Sequence, residues 1–480
     1  MLPLGVFFGL LLTSSFCFSD LPGAELQINQ RGIDVIVRKG IALLNNRISG
    51  NRLPDIKGDL EAFKGTFDLS NVVISQFNVD ALHSRAALVS PNSLKMNVNG
   101  LKFKIDGNYA VDVKLIFDVR KDGSFKADTA EASADLSVAV TSDGGHPQLR
   151  VVDCAMNLGA FEITLHGGFI DKIVDIFRKL AAKELKKTLD VVVCQKITSL
   201  VSEDAIPVEL GFLDGFHFDY ALTSDPKTQN NSITFPMQAQ FWFDGHRNDS
   251  AIPQPSGVVK PLISRSEMLC AVLDGDAVFG SAAYAFRVSP RSRFVIDNHI
   301  LAHLSPKIRK FFECDCKDDF CIGMFPTVRA HCRKGASVDF EANATLAAAT
   351  HFNSSGVFGS LTGNGSFEAA FPDGMRYDLT DLTAEIVVQL DSLRVSNDSL
   401  KGNVKVVDTK IDVVDASLGP IFRYLLNLIW REAVSSVISE SVNRLLNAGI
   451  AVRIPHVHLE NASFDFGSDE IVFCSDFRLQ

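Results

Sequence analysis

Residues 154–194 read CAMNLGAFEITLHGGFIDKIVDIFRKLAAKELKKTLDVVVC, and the fold of the chain turns on them. Before Gly167-Gly168 the apolar period is two. Phe161, Ile163 and Leu165 alternate with Glu162 and Thr164, which gives a strand with one greasy face. After the glycines the period becomes helical. Ile170, Ile173, Val174, Phe177, Leu180, Ala181 and Leu185 share one side, while Asp171, Lys172, Asp175, Arg178, Lys179, Lys183, Lys186 and Lys187 share the other. About 24 residues of helix would run roughly 36 Å. A disulfide between Cys154 and Cys194 would tie the start of the strand to the end of the helix, worth about 4 kcal/mol in chain entropy for a loop of this size. The lysine-rich side reads as a solvated face rather than a dock for anionic headgroups, because acids are interspersed in it and the chain's net charge is −10.

Upstream, Ile33, Ile36, Val37, Ile41 and Leu44 recur at three- and four-residue steps and predict a first amphipathic helix, with Gly32 and Gly40 set in it. From about Gly58 to Leu165 the texture is short alternating segments: GTFDLSNVVI, SLKMNVNGLKFKI, YAVDVKLIFDV and AFEITL. Turn residues, KDGS and SDGGHP, separate them, which predicts antiparallel hairpins. Downstream, HRNDSAIPQPSGVVKPL carries Pro253, Pro255 and Pro261 and reads as a linker. The layout then recurs. A helix is interrupted or restarted at Pro306, a cysteine-rich loop follows, then alternating strands, and a long second helix runs from a Ser417 cap to Gly449. These breaks divide the chain into 1–19, 20–246, a linker at 247–262, and 263–480, with both large parts of class α+β.

The first nineteen residues have a short apolar core followed by Cys17 and Ser19 at the spacing of a signal peptidase site, so an exported protein is expected. No later stretch holds 18 uninterrupted apolar residues. Removal of Cys17 leaves eight cysteines, an even number that suits disulfides in an oxidising compartment. Cys154 and Cys194 are joined by Cys270, Cys314, Cys316, Cys321, Cys332 and Cys474, whose pairing is open, although Cys314 and Cys316 lie too close to bond each other readily. Seven Asn-x-Ser/Thr sequons (Asn230, Asn248, Asn343, Asn353, Asn364, Asn397 and Asn461) agree with a glycoprotein.

The chemistry of the motifs is mostly negative. No G-x-S-x-G, H-E-x-x-H, P-loop or strand-to-helix G-x-G-x-x-G is present. His299 and His303, and His456 and His458, lack further ligands. The cluster CDCKDDFCIGMFPTVRAHC, with His331, has zinc-like spacing that secretion turns toward disulfides. No catalytic residue, cofactor or metal is expected. With 24 basic against 29 acidic residues in 20–246, and 21 against 27 in 263–480, neither half suits nucleic acid.

Several segments, in order, resemble the family that contains bactericidal/permeability-increasing protein, lipopolysaccharide-binding protein and the phospholipid and cholesteryl-ester transfer proteins. They are LPGAELQINQRGIDVIVRKGIALLNNRI…LPDIKG, the Cys154–Cys194 region with its HGG, QAQFWFDGHRNDSAIPQP, AVFGSAAYAF, and SVNRLLNAGIAVRIPHVHLENASFDFGSDEIVF. The resemblance implies an elongated, boomerang-like pair of barrels, each a twisted antiparallel sheet wrapped round long helices, joined by a central sheet. It also implies acyl chains held between helix and sheet, with phospholipid or a related amphipathic lipid as partner and transient contact with lipoprotein or membrane surfaces. On that basis Ile33, Ile36, Ile41, Leu44, Ile173, Phe177 and Leu180 are expected at a first pocket, and Leu425, Ile429, Ala433 and Val437 at a second. Two departures stand out. KIDGNYAVDVKLIFDVRKDG mixes acids among its bases where the lipopolysaccharide-binding members carry a lysine-rich tip, and the Cys314–Cys332 cluster lies outside the pattern. A carrier of phospholipid is therefore preferred over a protein that binds lipopolysaccharide, and over a scaffold whose pockets are filled.

Overall fold

A computed structural model describes residues 21–479 except 61–63, 82–83, 115–117, 130–131, 168–170, 203–208, 230, 256–265, 303–304, 315–320, 333–335, 346–348, 397–398, 415–422, 425, 429, 433–434, 436–442, 452–456 and 468–469. The leader, Asn230 and Asn397 lie outside the described residues, as does part of the linker.

The first half runs β1 (Ala24–Asn29), α1 (Gln30–Ile48), β2 (Ile56–Leu60), β3 (Gly65–Asn78), β4 (Arg85–Val89), β5 (Ser93–Lys114), β6 (Asp118–Thr129), β7 (Ala132–Asp143), β8 (His146–Leu158), β9 (Phe161–His166) and α2 (Asp171–Ser202). Next come β10 (Glu209–Leu213), β11 (Phe216–Asp219), β12 (Lys227–Gln229), β13 (Ser232–Met237) and β14 (Gln240–Phe243). The second half opens with β15 (Leu269–Asp274), a π-helical turn into α3 (Ser281–Val288), β16 (Arg293–Ile296), α4 (Asn298–Leu301), α5 (Pro306–Phe311) and α6 (Pro326–His331). It continues with β17 (Ser337–Ala344), β18 (Ala349–Asn353), β19 (Gly356–Ala370), β20 (Arg376–Ser396) and β21 (Ser399–Val413). It closes with α7 (Asn443–Ala448), β22 (Ile450–Ala451), β23 (Val457–Phe466) and β24 (Glu470–Leu479).

The class is α+β, with two long curled sheets and a third that joins them. The joining sheet has the order β12-β13-β1-β15-β24-β23, so three strands of the first half lie edge to edge with three of the second. Its centre is the antiparallel pair β1–β15, Ala24 opposite Leu273 through Ile28 opposite Leu269. Cys270 and Cys474 face each other in register on β15 and β24 and are bonded. Gly32 lets the start of α1 press on this sheet, because a Cβ there would stand 2.7 Å from the Met268 carbonyl oxygen.

In the first half, β5 is shared between two wings. Its early residues, Ser93–Leu101, pair with β7, and its later ones, Lys104–Lys114, pair with β6. The change of partner falls at Gly100, whose φ of +70° a side chain would resist. Past the change, the Phe103 N–H donates to the Thr129 hydroxyl at 3.1 Å, which satisfies a buried backbone group where the wings part. β19 repeats the device, pairing with β18 over 356–360 and with β17 over 363–370.

Two turns expected between strands fare differently. SDGGHP does turn between β7 and β8, with Gly144 and Gly145 both at positive φ. KDGS does not; it lies inside β6. Gly123 is there for room, since a Cβ would stand 2.2 Å from the His166 carbonyl oxygen and 2.7 Å from the Tyr109 hydroxyl. The helix after Gly167 is also longer than its pattern showed, 32 residues to Ser202. Its buried side is Phe177, Ala181, Leu185, Leu189, Val193 and Ile197, each at most 7% exposed. Steps of four advance about 40° per step on a 3.6-residue helix, so the covered side winds round the axis instead of forming one stripe. That is the geometry of a helix in a twisted, curling sheet.

Phe177 is the anchor of this contact. Its ring lies 5.6 Å from that of Phe67, edge to face, and 5.5 Å from that of Tyr109. Phe177→Ala is expected to destabilise the protein by about 3–5 kcal/mol, read as a lowered urea midpoint. Arg178→Ala, one residue along on the exposed side, should stay within about 0.5 kcal/mol.

Candidate lipid-binding site

The wings of the first sheet do not close on each other beside α2. Among the described residues β8 pairs only with β7 and β9 only with β6. The chain leaves one wing at Leu158 and enters the other at Phe161, and α2 lies across the gap. A groove of about 760 Å3 results, within the range of about 300–1,000 Å3 usual for small-molecule sites. Met156, Leu158, Ala160, Phe161, Ile163 and Ala182 supply its apolar lining. Leu158 and Ile163, 6% and 7% exposed, belong to the main core, so the floor of the groove is the flank of that core. The rim on α2 is cationic: Arg178, Lys179, Lys183, Lys186 and Lys187 line it with a single carboxylate, Asp190.

Two bonds fix α2 over the gap. The Cys154–Cys194 disulfide joins β8 to the helix, with Cα atoms 5.9 Å apart. Asp190 accepts the Met156 N–H at 3.0 Å, a backbone donor of β8. That carboxylate is thereby tied to the edge strand. A second, smaller groove of about 350 Å3 lies toward the other end of α2, between Val192, Lys196 and Ser199 on one side and Ile48, Arg52 and Ile74 on the other.

The expected pocket residues divide. Ile33 and Ile41 are buried with Phe177 in one core, and Leu44 and Leu180 pack half-buried against it. Ile36 does not join them. It is 42% exposed, because Val37, four residues after Ile33, takes the inward place and turns Ile36 outward. The side chain of Ile173 lies outside the described residues, and so do Leu425, Ile429, Ala433 and Val437, although the described residues of 423–432 are helical. The lining from β8 and β9 was missed in the sequence; the alternation at Phe161 and Ile163 marked an apolar face but not what would stand over it.

Among the described residues the clustered cysteines are bonded, and Cys316 lies outside them. Cys314 pairs with Cys332, and Cys321 is also in a disulfide, so these sulfurs are not thiolate ligands. His331 instead stacks on Tyr377 at 4.2 Å. His299 and His303 are outside what is described of side chains. Glu267, Cys270 and Cys474 come together, but both sulfurs are spent in the disulfide. Of the sequons, Asn248, Asn343, Asn364 and Asn461 are exposed and Asn353 is half-buried.

A polar cluster sits apart from the groove, where the segment after β14 meets α3. Asp249 accepts from the Tyr284 hydroxyl at 2.6 Å and lies 2.8 Å from His246 Nδ1. The Arg287 guanidinium covers the Tyr284 ring at 4.9 Å. The Tyr284 hydroxyl bond, then His246, holds the Asp249 carboxyl below its usual range, while burial pushes the Tyr284 hydroxyl up. The cluster acts as a clasp between Asp249 and α3.

Two curled sheets, each with helices against it, joined by a shared sheet, define a two-lobed α+β protein with a groove open along the flank of its first core. The chain belongs to the LBP / BPI / CETP family: the family's N-terminal domain matches residues 32–203 and its C-terminal domain residues 214–479. It is 23% identical to bactericidal permeability-increasing protein of Sebastes schlegelii over 294 residues, 59% of this chain and 60% of that protein. It is 20% identical to human lipopolysaccharide-binding protein over 307 residues, 62% of each. These alignments thus span about three-fifths of the relatives' lengths. A crystal structure of lipopolysaccharide binding protein shares the fold, with a TM-score of 0.59 at 15% identity over 96% of this chain and 99% of that one.

A depressed carboxylate stabilises the fold above the ordinary pKa of about 3.9 and loses that contribution as pH falls through its lower folded value. Asp249→Asn is therefore expected to flatten the acid limb of the stability profile, measured as urea midpoints across a pH series, and to leave the neutral-pH slope unchanged.

Proposed function

We propose that this chain is a secreted lipid-binding glycoprotein that carries a phospholipid, or a related amphipathic lipid, with its acyl chains against the floor between α2 and the β8–β9 gap. The observation that carries this reading is that the groove is greasy at its base and charged at its rim. Each methylene moved from water onto such a floor is worth about 0.8 kcal/mol, so tails alone supply the affinity. No catalytic group is needed. The interior beneath the first turns of α2 is already filled by Phe67, Tyr109 and Phe177, which favours tails in the lateral groove over tails beneath that ring. The two parts 20–246 and 263–480 are read as one lobe each, the second offering its own lipid site beside the helix at 423–432, with lipoprotein or membrane surfaces met transiently during exchange.

A second reading, recognition of bacterial lipopolysaccharide, draws on the names of the relatives and on a cleft of about 770 Å3 lined by Lys64, Lys114 and Arg120. Asp59 and Asp112 share that cleft, and Arg120 lies 4.0 Å from Asp112, so its positive charge is largely answered from within. The carrier reading is preferred.

Protein secreted from cultured cells and examined by native mass spectrometry is expected to carry lipid that organic extraction releases. Ala182→Trp, which plugs the groove from the helix side, should keep the circular dichroism of the parent and lose most of that lipid. A parent protein that neither carries nor takes up lipid overturns the proposal.

A further inference from the structure

We propose that the groove selects lipids whose headgroup bears net negative charge, and that Lys179, Lys183, Lys186 and Lys187 hold that headgroup at the rim. This rests on the groove being a lipid site and adds which lipid it prefers. The four lysines fall at steps of four, three and one, which places them on one side of α2 with Ala182 and Asp190. Lys179, Lys183 and Lys187 are exposed and Lys186 is half-buried. None of the four forms an ion pair among the described residues. The two other charges of the rim are already engaged, Arg178 with Asp175 at 3.8 Å and Asp190 with the Met156 N–H at 3.0 Å.

The rim thus presents four ammonium groups without an ion pair among the described residues, against the one carboxylate of Asp190, in a protein whose net charge is −10. A zwitterionic head, whose own ammonium cancels its phosphate, gains little from such a row, whereas an acidic head gains the full attraction. The apolar lining of the same groove adds a place for tails, which a bare phosphate does not need and a flat anionic surface does not fill. The occupant is one acidic glycerophospholipid, phosphate at the lysines and an acyl chain over Leu158 and Ile163.

The test uses full-length protein and two vesicle preparations with identical dioleoyl tails, one of phosphatidylcholine alone and one of phosphatidylcholine with an equal amount of phosphatidylglycerol. Protein is separated from the vesicles and its bound lipid counted by native mass spectrometry. From the mixed vesicles, phosphatidylglycerol is expected in the protein at about tenfold or more over phosphatidylcholine, falling as salt is raised. The quadruple variant Lys179→Gln, Lys183→Gln, Lys186→Gln and Lys187→Gln should keep the circular dichroism of the parent and take up both lipids in equal measure. The milder pair Lys183→Gln and Lys187→Gln should fall between the two. Equal uptake of both lipids by the parent protein overturns the preference alone. Sedimentation with acidic vesicles but no lipid after separation shows surface docking and overturns it too. Uptake of neither lipid overturns it together with the reading beneath it.

Discussion

A helix inside a curling sheet has to be greasy on a path that winds, and this constraint organises the first half of the molecule. Phe177, Ala181, Leu185, Leu189, Val193 and Ile197 trace that path along α2. The sheet follows them by splitting: β5 gives one end to β7 and the other to β6, with the bend at Gly100 and the loose Phe103 N–H taken up by Thr129. Once the sheet has split, β8 and β9 have no strand between them among the described residues. The gap is not a packing defect. It is what remains when one long strand serves two wings, and the helix that crosses it brings its cations to the edge of the core.

The same crossing explains the staple. β8 has a strand on one side only among the described residues, so its other edge needs partners. Asp190 answers one of its N–H groups, and the disulfide to Cys194 fixes the distance. Both attachments sit at the same end of the groove. Along the rest of α2 the described core contacts are those of Phe177, Ala181, Leu185, Val193 and Ile197, which are apolar.

Much of this was legible in the residues. Alternation located the long strands, the shift of period at Gly167-Gly168 located α2, and the paired glycines of SDGGHP located a true turn. The failures share a cause, contact with something far away in sequence. KDGS looks like a turn until His166 and Tyr109 are seen to crowd Gly123 within a strand. The helix was expected to end at Cys194, and burial of Ile197 one turn further on carries it to Ser202. Ile36 fits the three-residue step from Ile33 as well as Val37 fits the four-residue one, and only the packed sheet decides between them. The lysine side of α2 read as solvated, and Lys179, Lys183 and Lys187 are exposed. A sequence records charge on a helix face, but not that Met156, Phe161 and Ile163 arrive beside it from two strands that never pair.

The joining sheet carries a different lesson. β1, from the first residues described, lies between β13 and β15, and β15 in turn needs β24, from the last. During synthesis β1 therefore waits for β13 and β15, and β15 keeps an open edge until β24 has emerged from the ribosome, although the wings around α2 have all their parts long before. A ribosome stalled ahead of β24 would hold out a nascent chain with one finished lobe and the open edge of β15, a natural handle for chaperones that scan for unpaired strands.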